Sequence, residues 1–162
     1  MSVTDSRVFL AGSPEKTEHL GEALAGLVPP GAVVALIGDL ASGKTCFVRG
    51  AARRFGVEHE VHSPTFTLVN QYGPGPDMIH LDLYRLEGIE EVLDLGYEEL
   101  FSESAPCFVE WAERAEGLLP RERVVARFEV DGRTSRRITV ENRGVLPRDW
   151  ADRLERALDS GG

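Results

Sequence analysis

Apolar residues of this chain occur either in short continuous runs or at intervals of three and four positions. The run "AVVALI" at 32–37 is continuously apolar and rich in β-branched residues, which is typical of a strand buried on both faces of a sheet. The segment "APCFVEW" at 105–111 has the same character. "TFTLVNQY" at 65–72 and "MIHLDLY" at 78–84 flank the turn sequence "GPGPD", and a short strand is expected near "RVFLAG" at 7–12. Several buried strands are therefore predicted.

Helical periodicity separates these strands. In the segment 13–28, Ser13 suits an N-cap and Pro14 suits the first helical position. The apolar face of this predicted helix consists of Leu20, Ala23, Leu24 and Leu27. A second helix is predicted from Lys44 to about Phe55, one or two short helices within 88–103, and an amphipathic helix at 147–160.

The segment 123–142 has the sequence pattern of a β-hairpin. "RVVARFEV" at 123–130 and "RRITVEN" at 136–142 lie on either side of Asp131-Gly132, a strong turn signal. Alternation of strands and helices before this point favours an α/β fold, with a mainly parallel sheet flanked by helices and extended by the antiparallel hairpin. We expect one domain over residues 1–162, with 159–162 as a loose tail.

Composition and charge narrow the function. A formal net charge of -9 argues against a surface that binds nucleic acid throughout, because neutralising phosphates needs a concentrated basic face. No apolar run reaches the roughly 20 residues of a membrane helix, so a cytoplasmic protein without membrane contact is expected. Cys46 and Cys107 lie within apolar runs and are interpreted as small buried residues.

Residues 38–45, "GDLASGKT", lie between a predicted strand and a predicted helix and are called the phosphate loop below. They satisfy the pattern G-x-x-x-x-G-K-[ST] through Gly38, Gly43, Lys44 and Thr45. In this motif, backbone N–H groups and the helix N-terminus surround the phosphates, the lysine reaches the β- and γ-phosphates, and the hydroxyl serves Mg²⁺. A simple strand-to-helix turn is the alternative, but the lysine, the threonine and both flanking elements favour phosphate binding and a P-loop NTPase fold.

Magnesium in such a site also needs a carboxylate near the loop. Asp82 follows "MIHL" and Glu110 follows "PCFV", so both acids end predicted strands. The residues alone leave open which acid serves the metal and which serves the attacking water.

Three further stretches follow the phosphate loop: "SPTFTLVNQY" at 63–72, "HLDLYRL" at 80–86 and "VEWAER" at 109–114. In order, spacing and chain length, these motifs resemble the TsaE (YjeE) family from about residue 7 to residue 158. That family comprises small bacterial ATPases that work with TsaD and TsaB to make N6-threonylcarbamoyladenosine at position 37 of tRNA. The resemblance implies an ATP- and Mg²⁺-dependent subunit that acts on tRNA indirectly, through these partners; the oligomeric state is left open.

The resemblance also implies roles for individual residues. The phosphate-binding set is Gly38, Asp39, Leu40, Ala41, Ser42, Gly43, Lys44 and Thr45. Thr45 and Glu110 would hold Mg²⁺. Trp111 and Glu113 would lie beside the nucleotide.

For hydrolysis, the resemblance implies a catalytic set of Lys44, Thr65 and Asp82. Thr65 lies in "SPTF", on a loop that senses the γ-phosphate in the family, and its hydroxyl suits a metal or a phosphate. Asp82 lies on a segment needed for hydrolysis and could orient water.

One position departs from the family pattern. Members usually read G-D-L-G-A-G-K-T, whereas Ala41 here replaces the middle glycine. If this position requires a positive φ angle, alanine costs roughly 1 kcal/mol there and shifts the contacts of the loop.

Two other functions fit a P-loop chain of this size. A small-molecule kinase is one, although no lid-like insertion is present between the phosphate loop and "APCFVE". A GTP-dependent switch is the other, but the N-K-x-D guanine motif is absent, since the only lysines are Lys16 and Lys44.

Some polar residues have an ordinary structural interpretation. His62 and His80 could suggest a metal pair, but they lack partners at ligand spacing and are interpreted as structural or solvent-facing. Three arginines near the hairpin could form a basic spot, but a solvated hairpin face is the favoured interpretation; they are Arg133, Arg136 and Arg137.

Overall fold

The computed structural model describes residues 4–61, 69–84, 86, 89–94, 96, 101 and 105–160. Within these ranges the chain forms a seven-stranded sheet in the order β1-β7-β6-β2-β5-β4-β3. Its strands are β1 (Thr4–Ala11), β2 (Val33–Gly38), β3 (Val69–Tyr72), β4 (Met78–Asp82), β5 (Cys107–Glu110), β6 (Val124–Val130) and β7 (Arg136–Arg143). Its helices are α1 (Pro14–Ala25), α2 (Lys44–Arg54), α3 (Ile89–Asp94) and α4 (Trp150–Ser160), with 3₁₀ segments at Glu58–Glu60 and Ala112–Leu118.

The centre of the sheet is parallel and both edges are antiparallel. β6, β2, β5 and β4 are parallel neighbours, while β1 and β6 each pair antiparallel with β7, and β3 pairs antiparallel with β4. Short turns at 73–76 and 131–135 require the pairs β3–β4 and β6–β7 to be antiparallel, because such turns cannot join parallel strands. The α/β class and the C-terminal hairpin are thus confirmed, and the parallel character belongs to the four central strands.

The predicted helices are also found. Ser13 caps α1 by accepting a hydrogen bond from the backbone N–H of Lys16 at 3.2 Å, with Pro14 in the first turn. Leu20 and Leu24 on the predicted apolar face are fully buried. α2 begins at Lys44 as predicted, and α4 begins at Trp150, three residues after the predicted start.

Apolar side chains cover both faces of the sheet. On one face, α1, α2 and α4 pack over β1, β7, β6 and β2, with Phe47 of α2 in edge-to-face contact with Phe128 of β6 at 5.3 Å between ring centroids. A second cluster on the opposite face contains the 3₁₀ segment at Ala112–Leu118 and parts of β4 and β5. The strands that carry the phosphate loop and its neighbouring acids are therefore fixed on two sides.

The cysteines differ from each other. Cys107 is buried in β5 as predicted, but Cys46 is only half-buried, so that part of the interpretation is wrong. Cys46 lies on the side of α2 that faces the first turn of α1, with its Sγ 3.3 Å from the Pro14 carbonyl oxygen. Among the helices in the described ranges, none is long and apolar enough to cross a membrane.

Two glycines let α1 and α2 approach closely. A Cβ on Gly50 of α2 would lie 2.7 Å from the Cα of Glu18 and would overlap its carbonyl oxygen. A Cβ on Gly21 of α1 would lie 3.2 Å from the backbone nitrogen of Ala51 and would overlap the Phe47 carbonyl. Because α2 follows the phosphate loop directly, this backbone contact sets the direction in which the helix leaves the loop.

We predict that Gly50→Ala lowers the free energy of unfolding by about 1–3 kcal/mol, because the helices must separate, although alanine is the better helix former. Urea denaturation followed by circular dichroism measures this change. Gly12→Ala is the control, since no atom lies within 4 Å of the added Cβ. A Gly50→Ala protein as stable as this control would contradict the close-contact explanation.

Candidate phosphate-binding site

The carboxyl ends of three parallel strands meet at one edge of the sheet. β2 ends at Gly38, β4 at Asp82 and β5 at Glu110. In the register of the sheet, Glu110 is opposite both Leu36 of β2 and Asp82 of β4. This arrangement brings two acids that are distant in sequence beside the phosphate loop.

The phosphate loop forms a tight turn and then starts a helix. The Ser42 N–H donates to the Asp39 carbonyl at 3.2 Å, and Gly43, with φ of 106°, is the N-cap of α2. No side chain caps this end of α2, so its first N–H groups are available to a ligand. A helix N-terminus with free N–H groups and a positive dipole end is suited to an anion.

Ala41 adopts the left-handed conformation, with φ of 63°. Position 41 therefore does require a positive φ angle, and alanine is roughly 1 kcal/mol less favourable than glycine in this conformation. Ala41 lies at the exposed outer side of the loop, next to Leu40, which is 67% exposed.

Lys44 is buried, with 4% of its surface exposed. Its Nζ donates to the carbonyl oxygens of Gly38 and, at 3.2 Å, Asp39, and it lies 3.7 Å from the centroid of the Trp111 ring. Burial lowers the pKa of Lys44, while nearby carboxylates oppose this effect; they are Glu110, Glu113, Asp82 and Asp39. The carbonyls and the ring face thus compensate part of the buried charge, and the carboxylates add to this compensation.

Trp111 also has a left-handed backbone, with φ of 59° and ψ of 41°. This conformation is unusual for a large side chain and costs roughly 1–2 kcal/mol. It places the indole over the Lys44 ammonium, and the ring of Tyr84 packs against it at 5.0 Å between centroids. A backbone outlier of this kind points to a functional constraint at the site.

A chain of hydrogen bonds runs across the sheet from α2 to β3. The Thr45 hydroxyl donates to the Glu110 carboxylate at 3.2 Å, and Glu110 Oε2 lies 2.6 Å from His80 Nε2. His80 Nδ1 lies 2.9 Å from the hydroxyl of Tyr72, and burial raises the pKa of Tyr72 to about 12. Since a carboxylate only accepts, His80 donates to Glu110 through Nε2–H, and its Nδ1 continues the chain to the Tyr72 hydroxyl.

Asp82 has a different environment from Glu110. Its carboxylate accepts a hydrogen bond from the Tyr84 N–H at 3.1 Å. Burial, followed by the charge of Glu110, raises the pKa of Asp82. Glu110 contacts Thr45 of the phosphate loop, whereas Asp82 lies one strand farther from β2.

Most of the predicted site residues come together at this edge. The phosphate loop, Asp82, Glu110 and Trp111 surround Lys44, and Glu113 is solvent-exposed but contributes to the electrostatic environment of Lys44. Thr65 lies outside the described residues, as does His62. Within the described part of the chain, no group of three or more His, Cys, Asp or Glu side chains is arranged to hold a metal ion.

Sequence reasoning missed two side chains at this site. The interpretation of His80 as structural or solvent-facing is correct in its first part, since His80 is buried, but its direct contact with Glu110 is not predicted. Arg136 was assigned to a solvated hairpin face, but it hydrogen-bonds to the phosphate loop. Side chains alternate between the two faces of a strand, so the segment "IHLD" places His80 and Asp82 on the same face. This alternation is the only sequence signal that His80 lies near the acids of the site.

Comparison with known proteins gives concordant matches. The family model "Threonylcarbamoyl adenosine biosynthesis protein TsaE" matches residues 11–138. Proteins named "tRNA threonylcarbamoyladenosine biosynthesis protein TsaE" from Treponema pallidum and Bacillus subtilis are 39% and 40% identical to this chain, each over 128 residues. These alignments cover 79% and 78% of this chain, and 95% and 80% of the respective relatives.

A solved structure shares the fold. The crystal structure of Bacillus subtilis YdiB matches with a TM-score of 0.68 and 26% identity, over 99% of each chain. This likeness confirms the predicted α/β P-loop NTPase fold.

We predict that Ala41→Gly raises the free energy of unfolding by up to about 1 kcal/mol, because glycine adopts the left-handed conformation without strain. The gain is limited by the greater backbone freedom of glycine in the unfolded chain. Urea denaturation followed by tryptophan fluorescence measures it.

Ala23→Gly in α1 is the control for this prediction. It makes the same chemical change at a helical position and should lower the free energy of unfolding by about 1 kcal/mol. Equal destabilisation by both substitutions would contradict the assignment of strain to Ala41.

Proposed function

Since the chain belongs to the TsaE family, we propose that it is a Mg²⁺-dependent ATPase subunit required for threonylcarbamoyl modification of adenosine in tRNA, acting with TsaD and TsaB. In this proposal residues 1–162 form one P-loop ATPase domain, and the chemistry on tRNA belongs to the partners. The observation that carries the proposal is the buried Lys44 ammonium at the uncapped N-terminus of α2, next to the Thr45–Glu110 contact.

Phosphate binding is assigned to the loop and to Lys44. N–H groups at the start of α2 would receive phosphate oxygens, and Lys44 would bind the β- and γ-phosphates in place of part of its present contacts. Desolvation supports this assignment, because an ammonium that is already buried forms a stronger interaction with an arriving anion than one in water. Trp111, packed over Lys44, and Glu113 are assigned to positions beside the nucleotide.

The donor groups at the loop fit Mg²⁺. The Thr45 hydroxyl and the Glu110 carboxylate are oxygen ligands that already lie 3.2 Å apart, and Mg²⁺ is commonly held by one or two such groups together with substrate phosphates. When bound, the ion would neutralise charge on the phosphates. His80, by donating to Glu110, would keep that carboxylate turned toward Thr45.

Hydrolysis is assigned to Lys44, Thr65 and Asp82. Asp82 is close enough to contribute to the electrostatics of Lys44 and is not the acid that contacts Thr45, which leaves it free to orient water. Thr65 is proposed as the γ-phosphate sensor on the basis of the family motif. Turnover of the isolated protein should be slow, because groups that complete such sites are often supplied or ordered by a partner.

We predict that Lys44→Ala weakens ATP binding by about 100-fold, since charged contacts to the β- and γ-phosphates are lost, and weakens ADP binding less, since ADP has no γ-phosphate. The free energy of unfolding should change by less than about 1 kcal/mol, because the desolvation of the Lys44 ammonium offsets the contacts that it makes. Isothermal titration calorimetry measures the affinities, and thermal unfolding measures stability.

Lys16→Ala is the matched control, since Lys16 is the only other lysine and its Nζ contacts the Leu158 carbonyl in α4. It should bind ATP normally. If Lys44→Ala also binds ATP with the wild-type affinity, the phosphate-loop assignment is wrong. ATP turnover that is fast alone and unaffected by TsaD and TsaB would exclude the proposed partner-coupled role.

The two acids should have separable phenotypes. Glu110→Ala should weaken Mg²⁺-dependent ATP binding more than Mg²⁺-free ADP binding, because it removes the carboxylate beside Thr45. Asp82→Ala should retain ATP binding and lose most hydrolysis. Titrations with and without Mg²⁺, together with phosphate-release assays, distinguish the two variants, and exchanged phenotypes would mean that the two roles are reversed.

A further inference from the structure

Arg136, the first residue of β7, extends its side chain to the outer side of the phosphate loop. Its Nε donates to the Ser42 carbonyl at 3.1 Å, and its Nη2 donates to the Ala41 carbonyl at 3.3 Å. These contacts join positions 94 and 95 residues apart in sequence. The two carbonyls are those of the strained residue and of its neighbour, so the guanidinium contacts the part of the loop that is least stable by itself.

Both hydrogen bonds fix the orientation of a peptide plane. In a trans peptide, the carbonyl of one residue and the N–H of the next point in opposite directions. Holding the Ala41 carbonyl toward Arg136 therefore turns the Ser42 N–H away from it, where this N–H donates to the Asp39 carbonyl at 3.2 Å. Holding the Ser42 carbonyl in the same way turns the Gly43 N–H to the side away from Arg136. The contacts with Arg136 thus accompany an orientation in which both N–H groups lie on the side of the loop away from the guanidinium.

The guanidinium is itself held in place. Its Nη1 donates to the Gly132 and Ser135 carbonyls of the β6–β7 hairpin, at 3.2 and 2.8 Å. β6 in turn pairs with β2, the strand from which the loop emerges. The phosphate loop is therefore connected to the sheet twice, directly through β2 and through the side chain of Arg136 on β7. The aliphatic part of Arg136 also lies close to Gly43, where an added Cβ would be 3.6 Å from Cγ.

Only the fork of an arginine fits these contacts. One planar group reaches four carbonyl oxygens in fixed directions, which a single ammonium cannot reproduce. Arg137, the next residue, projects from the opposite face of β7 and lies 3.9 Å from Asp131. It therefore has the same charge and the same hairpin location without the loop contacts.

We propose that Arg136 is a positioning residue that holds the phosphate loop in the conformation that receives the nucleotide phosphates. This inference rests on the proposed nucleotide binding. Arg136 acts through the backbone of residues 41–43 and does not itself contact the ligand.

The test measures Mg²⁺-free ADP binding by calorimetry for Arg136→Ala, Arg136→Lys and Arg137→Ala. Both Arg136 variants should bind ADP at least about tenfold more weakly than wild type, and Arg137→Ala should stay within about twofold. Amide hydrogen exchange of residues 39–43 in the ligand-free protein should accelerate in Arg136→Ala and stay unchanged in Arg137→Ala. Methylguanidinium added to Arg136→Ala should restore affinity, whereas methylammonium should not.

The possible outcomes separate this inference from the proposed function. If wild type binds ADP and both Arg136 variants bind it equally well, the positioning role is wrong and the proposed function stands. If Arg136→Lys restores full affinity, charge alone is required and the positioning role is again wrong. If wild type binds neither ADP nor ATP, both are wrong. Thermal unfolding checks each variant, and Arg136→Lys decides the question should Arg136→Ala fail to fold.

Discussion

The buried ammonium of Lys44 is the group around which this edge of the sheet is organised. A charge removed from water must be compensated by dipoles, ring faces or opposite charges. The Gly38 and Asp39 carbonyls, the Trp111 ring and the surrounding carboxylates do so only in part, as the lowered pKa of Lys44 indicates. Together with the uncapped N-terminus of α2, this ammonium suits an anion, and that property underlies its proposed role with nucleotide.

Strand order supplies the rest of the site. Because β5 lies between β2 and β4, and all three are parallel, Glu110 ends beside Thr45 while Asp82 ends one strand farther away. The same order lets His80 and Tyr72 extend a hydrogen-bonded chain from Glu110 to the edge strand. The two acids are equivalent in local sequence pattern, and they differ only through their positions in the sheet.

Two non-glycine residues at the site have a left-handed backbone conformation. They are Ala41 in the phosphate loop and Trp111, whose ring contacts the Lys44 ammonium. In each case a tertiary contact accompanies the strained conformation. Trp111 gains a cation–π contact with Lys44 and packing against Tyr84. The Ala41 carbonyl accepts from Arg136, whose guanidinium is anchored to the hairpin. Strain of about 1 kcal/mol at Ala41 and about 1–2 kcal/mol at Trp111 is small enough to be balanced by such contacts.

Local periodicity and residue spacing are enough to predict the α/β class, the strands and helices around the phosphate loop, and the place of Lys44 and Thr45 in that loop. They also identify Asp82 and Glu110 as strand-terminal acids. Tertiary contacts alone establish which acid contacts Thr45, that His80 supports it and that Arg136 reaches the loop. Those contacts join residues up to 95 positions apart. They depend on strand order and register, which no local pattern contains.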